Sequence, residues 1–461
     1  MVVSAFALRA LPVFGIALAV APSARAAEVT RVVSALDDDN AFDFNVTAAW
    51  LHEQKSGFIK HEDASQGGGL VKDLQFGQTR DVLNLRMDFG ILWDVGIRIE
   101  APLVLADNRH LDFDQSAGSG CAYPGNAENI QPTCVDARNS GLVGYGIVPA
   151  TFGAGGAPTS WGVNKNGTPF TSGGRVFQGP TRSGFESLNL GITWAPFNQR
   201  RDDTRPTWTL SFDSKLDVFH DMRYDSSNPG ANTAVGLGYH QFIWSSYISK
   251  RFRYFDPYFG AWYMLPVRTN NSIYQVVPNE TAVNPSQRAG VSAGFEQIAW
   301  ENPRADQRVT VEFRARAEQH FAGRGMSEMW EALAGSQQCN DPASPACRPG
   351  IDFNIGDTTA SPYPGVTEIQ QYGSFGGDLG LNVQVGKYAR FRGLFGLLVD
   401  EPHFITYAGT GVDRDGDKHV NSNDPNEANA LYRDAIDAPG RRFRVEGTQI
   451  WSLYLEGSIM F

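Results

Sequence analysis

The sequence predicts an all-β fold, a transmembrane antiparallel up-and-down β-barrel of about twelve strands with short turns at one rim and long loops at the other. Three observations predict it. Segments of about ten residues alternate apolar and polar side chains, the connections between them alternate short and long, and no run of eighteen or more apolar residues follows the amino-terminal segment. The 461 residues show no composition shift or linker, and 49 Gly with 12% aromatic residues suit many strands joined by irregular loops in one large domain.

The clearest strand runs from Leu83 to Ile91, with Leu83, Leu85, Met87, Phe89 and Ile91 on one face and Asn84, Arg86, Asp88 and Gly90 on the other. The next repeats the phase through Val95, Ile97, Ile99, Ala101, Leu103 and Leu105, after a turn at Leu92, Trp93 and Asp94. If Ile91 faces Val95, antiparallel register sets Asp88 opposite Arg98 and Arg86 opposite Glu100. Alternation places strands near 41 to 54, 80 to 91, 95 to 106, 184 to 196, 207 to 219, 307 to 321, 370 to 385, 389 to 400 and 446 to 461, and the strand count adds the less regular segments 233 to 249, 254 to 267 and 286 to 300, for twelve in all. A soluble sandwich also alternates, yet it has no reason to gather paired charges across neighbouring strands or every long loop at one end. Trp93, Trp194, Trp208, Tyr254, Tyr258 and Trp451 fall near strand ends, as an interfacial girdle requires.

Residues 1–26 read as a signal peptide: Arg9, an apolar run from Ala10 to Ala21, then Ala24-Arg25-Ala26, so the mature chain is expected to begin at Ala27. Without Arg9 and Arg25 the 39 basic side chains fall to 37 against 50 acidic ones, a net charge near −13, which excludes nucleic acid as a partner.

The last strand alternates Trp451, Leu453, Leu455 and Ile459 with polar residues and stops on Phe461, with Gly457 as the one small residue on the apolar face. This resembles the terminal signal of bacterial outer-membrane β-barrel proteins. The resemblance implies integral placement in the outer membrane, contact with its lipid, and delivery by the barrel assembly machinery. It also orients the chain, with 27–40 as a periplasmic segment, 41–461 as the barrel, and long outer loops at about 108–183, 322–369 and 401–445. A second likeness lies in Leu188-Asn189-Leu190-Gly191-Ile192-Thr193-Trp194-Ala195-Pro196 and Arg201-Asp202-Asp203-Thr204-Arg205-Pro206-Thr207-Trp208, which is similar to a hairpin of transporter-like barrels of the aromatic-compound and phenol-degradation type.

Inward positions carry both signs: Arg86, Asp88, Arg98, Glu100, Asp213, Lys215, Asp217, Glu312, Arg314, Arg316, Glu318, Arg390 and Arg392. They are either a structural ion-pair ladder or a charged constriction whose cationic side is Arg314, Arg316, Arg390 and Arg392. Cys121 with Cys134, and Cys339 with Cys347, are expected to form two local loop disulfides. The connection from Asn108 to Ser183 is long enough to fold across the outer mouth.

Asp413, Asp415, Asp417, Asn421 and Asp424 stand at positions one, three, five, nine and twelve of a loop that resembles the calcium loop of EF-hand and dockerin modules. Lys418 replaces the glycine at position six, and Asp424 the glutamate at twelve. No other cofactor is expected. Catalytic motifs are missing from the sequence, and only His240 beside Ser245 and Ser246 suggests a hydrolase. The expected function is passage of small solutes through a lumen gated by outer loops. A non-conducting display barrel with calcium-braced loops is the alternative, and an outer-membrane hydrolase the third.

Overall fold

In the computed structural model the described residues are 27–36, 42–63, 68–115, 135–223, 230, 233–270, 272–274, 279–334, 365–421, 424, 426–429 and 431–461. Twelve antiparallel strands close into one cylinder: β1 (Phe44–Asp63), β2 (Gly69–Leu92), β3 (Val95–Phe113), β4 (Leu188–Phe197), β5 (Thr207–Leu216), β6 (Tyr239–Ser249), β7 (Phe255–Arg268), β8 (Arg288–Asn302), β9 (Gln307–His320), β10 (Tyr372–Val385), β11 (Ala389–Asp400) and β12 (Phe443–Met460). β12 pairs with β1 from Asn45↔Met460 to His61↔Phe443, so no edge is left unpaired. The connections at one rim are short, with only Trp93 and Asp94 between β2 and β3, whereas 114–187, 321–371 and 401–442 extend from the other.

Alternation decides which side meets lipid. Leu379, Phe391, Phe395 and Ile459 are each at least half exposed, while Thr47, Asp88, Glu312 and Ser458 on the opposite phase are buried. A soluble sandwich would bury the first set, so the outward band is the lipid-facing surface. From Leu83 to Leu92 that band is about 25 Å tall for a strand tilted by about 40°. Tyr258 departs from the expected girdle: it is buried and turned inward, its hydroxyl donating to Glu312 at 2.6 Å. Trp93, Trp194, Tyr254 and Trp451 remain exposed.

The register sets Asp88 opposite Arg98 and Arg86 opposite Glu100, as the charges require. At the turn Leu92, in place of Ile91, meets Val95, because the ladder slips between Gly90 and Leu92. Inward glycines let rings from the next strand lie across them: a Cβ on Gly290 would meet the Trp262 ring at 2.5 Å, and one on Gly260 the Tyr247 ring at 2.0 Å.

β1 and β2 continue well past the expected ends at 54 and 80, to Asp63 and from Gly69. Here the polarity of the two faces inverts. On β2 the outward residues above the band are Gln75, Gly77, Thr79 and Asp81, while Leu74 and Phe76 point inward and are buried. On β12 the inward Phe443 and Val445 do the same. These extensions stand in water, and their inner faces carry a true apolar core that includes Leu142, Trp161, Phe177, Leu333, Leu431 and Ile436 from three outer connections. Docking of Gly141–Gly144 depends on Asp73, fully buried on β2, which accepts from Ser140 Oγ at 2.6 Å and Gly141 N at 3.0 Å and pairs with His61 at 2.9 Å.

Candidate functional site in the barrel lumen

The lumen has a floor, a charged wall and a ceiling. Residues 27–35, expected below the barrel in the periplasm, enter its mouth instead. Ala27 is completely buried, and Glu28 reaches Arg390 at 2.5 Å, with Arg308 at 3.7 Å, while its backbone N donates to Glu296 Oε1 at 2.7 Å. Thr30 Oγ1 lies 2.7 Å from Ser249 Oγ on β6. β6 and β11 stand on different sides of the cylinder, so one short segment spans the opening. Ala35 N bonds to Leu92 O and anchors its exit at the rim.

Above the floor, the inward charges join into networks. Arg86 pairs with Asp88 at 2.9 Å, and Arg98 pairs with Asp88 at 3.1 Å and Asp213 at 3.5 Å. Arg390 pairs with Glu456 at 2.9 Å, Arg392 with Glu312 at 2.7 Å, Arg314 with Asp378 at 2.7 Å, and Arg316 with Asp378 at 3.0 Å and Glu318 at 3.8 Å. Glu100 accepts from Asn189, and Asp217 from the backbone N of Gly238. Lys215 lines the cavity above and has no ion pair among the described residues. Three of the acids in these networks were passed over by the sequence reading: Asp378, Glu456 and Glu28. Asp378 and Glu456 lie on the polar phase of expected strands and were findable by alternation. Glu28 lies outside every strand.

The ceiling is the connection between β9 and β10, which turns down into the barrel. Arg324 pairs with Glu280 at 2.9 Å and Glu331 with Arg182 at 2.6 Å, all four side chains nearly fully buried, and Trp330 packs under the Arg182 guanidinium. Glu328 meets Lys55 of β1 at 2.7 Å. Burial alone would raise the Glu328 carboxyl, yet Lys55 overrides it and holds it down at about 2. Between floor and ceiling lies a cavity of about 620 Å³, lined by Lys55, Arg80, Glu186, Arg288, Tyr372 and Asp400 among others. Tyr372 is stacked between His320, at 4.3 Å between ring centroids, and His403, at 3.6 Å.

The acidic loop gathers differently from its sequence spacing. Oxygens of Asp413, Asp415 and Glu427 lie within 4.8 Å of one another, while Asp417 Oδ1 accepts from His419 N and Asp424 Oδ1 from Asn426 N. Glu427, which the spacing did not include, also receives the backbone N–H groups of Arg414, Asp415 and Asn421. Lys418, standing where a glycine was expected, has φ +71°, the left-handed turn that position six demands. Cys121, Cys134, Cys339 and Cys347, like residues 1–26, lie outside the described residues.

Trp451, Leu453, Leu455 and Ile459 face outward on β12, and Phe461 stacks on Phe44 of β1 at 5.7 Å. The Phe391 ring covers Gly457. His240 Nδ1 accepts from Asp217 N, and Ser246 Oγ accepts from the Trp208 indole.

No family model and no curated protein matches the chain. Solved structures that match include an outer-membrane channel from Pseudomonas putida F1, at 8% identity over 90% of this chain and 95% of that one, with a TM-score of 0.38. A FadL homologue from Pseudomonas aeruginosa matches at 8% over 91% and 90%, TM-score 0.29. The outer-membrane protease OmpT from Escherichia coli matches at 7% over 94% and 99%, TM-score 0.26. With a closed cylinder, an apolar outward band and a polar interior, the chain is an integral β-barrel of the outer membrane.

Proposed function

We propose that the barrel is a channel for small solutes, held shut at rest by its own amino-terminal segment and covered by its outer connections. The observation that carries the reading is the polar cavity of about 620 Å³ between the Ala27–Ala35 floor and the inward-turned outer segment. A barrel serving only as a scaffold has no use for a hollow interior with a separate closing segment. The floor belongs to no strand of the barrel, so it can leave without disturbing a ladder.

Liposome swelling with uncharged and charged solutes tests this on the full chain and on a chain lacking residues 27–36 behind its signal peptide. Faster swelling on deletion is expected. No swelling with either chain removes the channel reading.

The display alternative is favoured by one observation, the apolar core shared by several outer connections. Under it, calcium held by Asp413, Asp415 and Glu427 braces the last loop, and titration calorimetry of the intact barrel with millimolar calcium tests that part. The two loop disulfides, tested by mass mapping without reductant, and recognition of the Phe461 terminus by the assembly machinery belong to either reading.

A further inference from the structure

Arg288 opens β8 at the outer end of the lumen, on the inward phase and at the wall of the cavity. It differs from its neighbours in one respect. Lys55, Arg80, Arg182, Arg314, Arg324 and Arg392 each face a carboxylate at 2.9 Å or less. Arg288 has no such partner among the described residues, and its Nε is buried without a hydrogen-bond acceptor. The neutral phenols of Tyr239, Tyr372 and Tyr274 stand near it, and the Glu318 carboxylate attracts it from beyond ion-pair distance. Glu318 leans toward Arg316 at 3.8 Å and His320 at 4.0 Å.

A half-buried guanidinium with no acid at contact distance keeps unmet donors, and its fork of N–H groups matches one carboxylate held bidentately. Around it the cavity wall carries aromatic side chains. Tyr239 meets Tyr274 edge-on at 5.5 Å, and Tyr372 is held between His320 and His403. Met222 and Met326 line the same space. Such a lining takes an apolar, planar body and leaves phenol hydroxyls to donate to a bound anion. A dianionic phosphate fits less well. The other lining cation without an acid partner, Lys215, lies three strands away on β5, about 14 Å along the wall.

We infer that Arg288, with Tyr239, Tyr274 and Tyr372, forms a binding site for a small organic carboxylate with a flat apolar body, in the outer half of the lumen. The inference rests on the channel reading only for how the ligand arrives; binding itself needs no conduction.

Titration calorimetry on the folded full chain in detergent tests it, with sodium benzoate, uncharged benzamide, acetate and inorganic phosphate as probes. Saturable benzoate binding is expected, with the other three weaker by about ten-fold or more, the loss of one charge-assisted pair or of the ring contacts. Arg288→Gln should weaken benzoate about ten-fold and leave benzamide unchanged, and Arg288→Lys should fall between, since the charge stays and the fork is lost. Lys215→Gln should change benzoate by less than about two-fold, which separates a site from the general potential of the lumen. Heat-shifted gel migration verifies that each variant is folded, and Arg288→Lys carries the test if Arg288→Gln fails to fold. No saturable benzoate heat, unchanged affinity in the Arg288 variants, or an equal loss in Lys215→Gln overturns the site. A protein that binds benzoate yet never passes solute keeps the site and loses the channel; one that passes solute without binding does the reverse.

Discussion

Glu312 illustrates what single residues do in this lumen. It is fully buried, accepts from the Tyr258 hydroxyl at 2.6 Å, and pairs with Arg392 at 2.7 Å. Replacing Arg392 by Met leaves that carboxylate uncompensated, at an expected cost of about 3 kcal/mol, read as a lower denaturant midpoint in detergent. Adding Glu312→Leu should recover most of the loss, since an apolar pair can replace a buried ion pair. How far such partners could be read ahead depends on their place in the chain. Asp88 and Arg98 follow from register alone, because alternation and opposite charge specify the same pairing. Arg182 and Glu331 are 149 residues apart in irregular connections, where no periodicity carries information. Arg288 was passed over for a different reason: its segment alternates poorly, with Gly290 and Gly294 on the inward face where polar residues would have marked it.

At the scale of elements, nine of the twelve strands were legible because lipid on one side and a polar lumen on the other impose a period of two over about ten residues, while β6, β7 and β8 were placed mainly because the strand count needs them. The ends of β1 and β2 were not, because above the membrane the apolar face switches from outside to inside while the period stays the same. Lys55 and Phe76 therefore read as loop residues although they are strand residues. The inversion gives a testable contrast. Phe395→Arg, on the lipid face of β11, should cost about 2–4 kcal/mol, whereas Gln75→Arg, outward on β2 above the band, should cost almost nothing by the same unfolding measurement.

The outer cap carries its own pH dependence. Burial pushes the Asp437 carboxyl up to about 7, with Glu368 adding to the rise and the backbone N–H groups of Arg433 and Ala408, together with the Arg433 charge, opposing it. A carboxyl raised above its unfolded value of 3.8 favours the folded cap when protonated, so its contribution is present at low pH and is lost as pH rises toward 7. Limited proteolysis should cut residues 401–442 faster at pH 8 than at pH 5, and Asp437→Asn should flatten that difference. Equal rates in the unaltered protein would remove Asp437 as the cause.

For the whole molecule, the unexpected feature is that an amino-terminal stretch reads as a tether and folds as a floor. Nothing local in Ala27-Glu28-Val29-Thr30-Arg31 marks it as an inserted segment. Its partners Arg390, Glu296 and Ser249 come from strands that only the closed barrel brings together. The same closure brings the inward acids and guanidinium groups of neighbouring strands together, so that Asp88, Glu312, Asp378 and Glu456 are each paired within the lumen.

The central claim is that this floor controls passage, and the contact between Thr30 and Ser249 allows it to be locked. With cysteines at both positions, Thr30→Cys and Ser249→Cys, the 2.7 Å separation of the native hydroxyl oxygens is close enough for a bridge. Single-channel conductance in planar bilayers should be absent for the oxidised double variant and appear on reduction, while the unaltered protein responds to reductant far less. Equal conductance in the oxidised and reduced double variant would contradict the account.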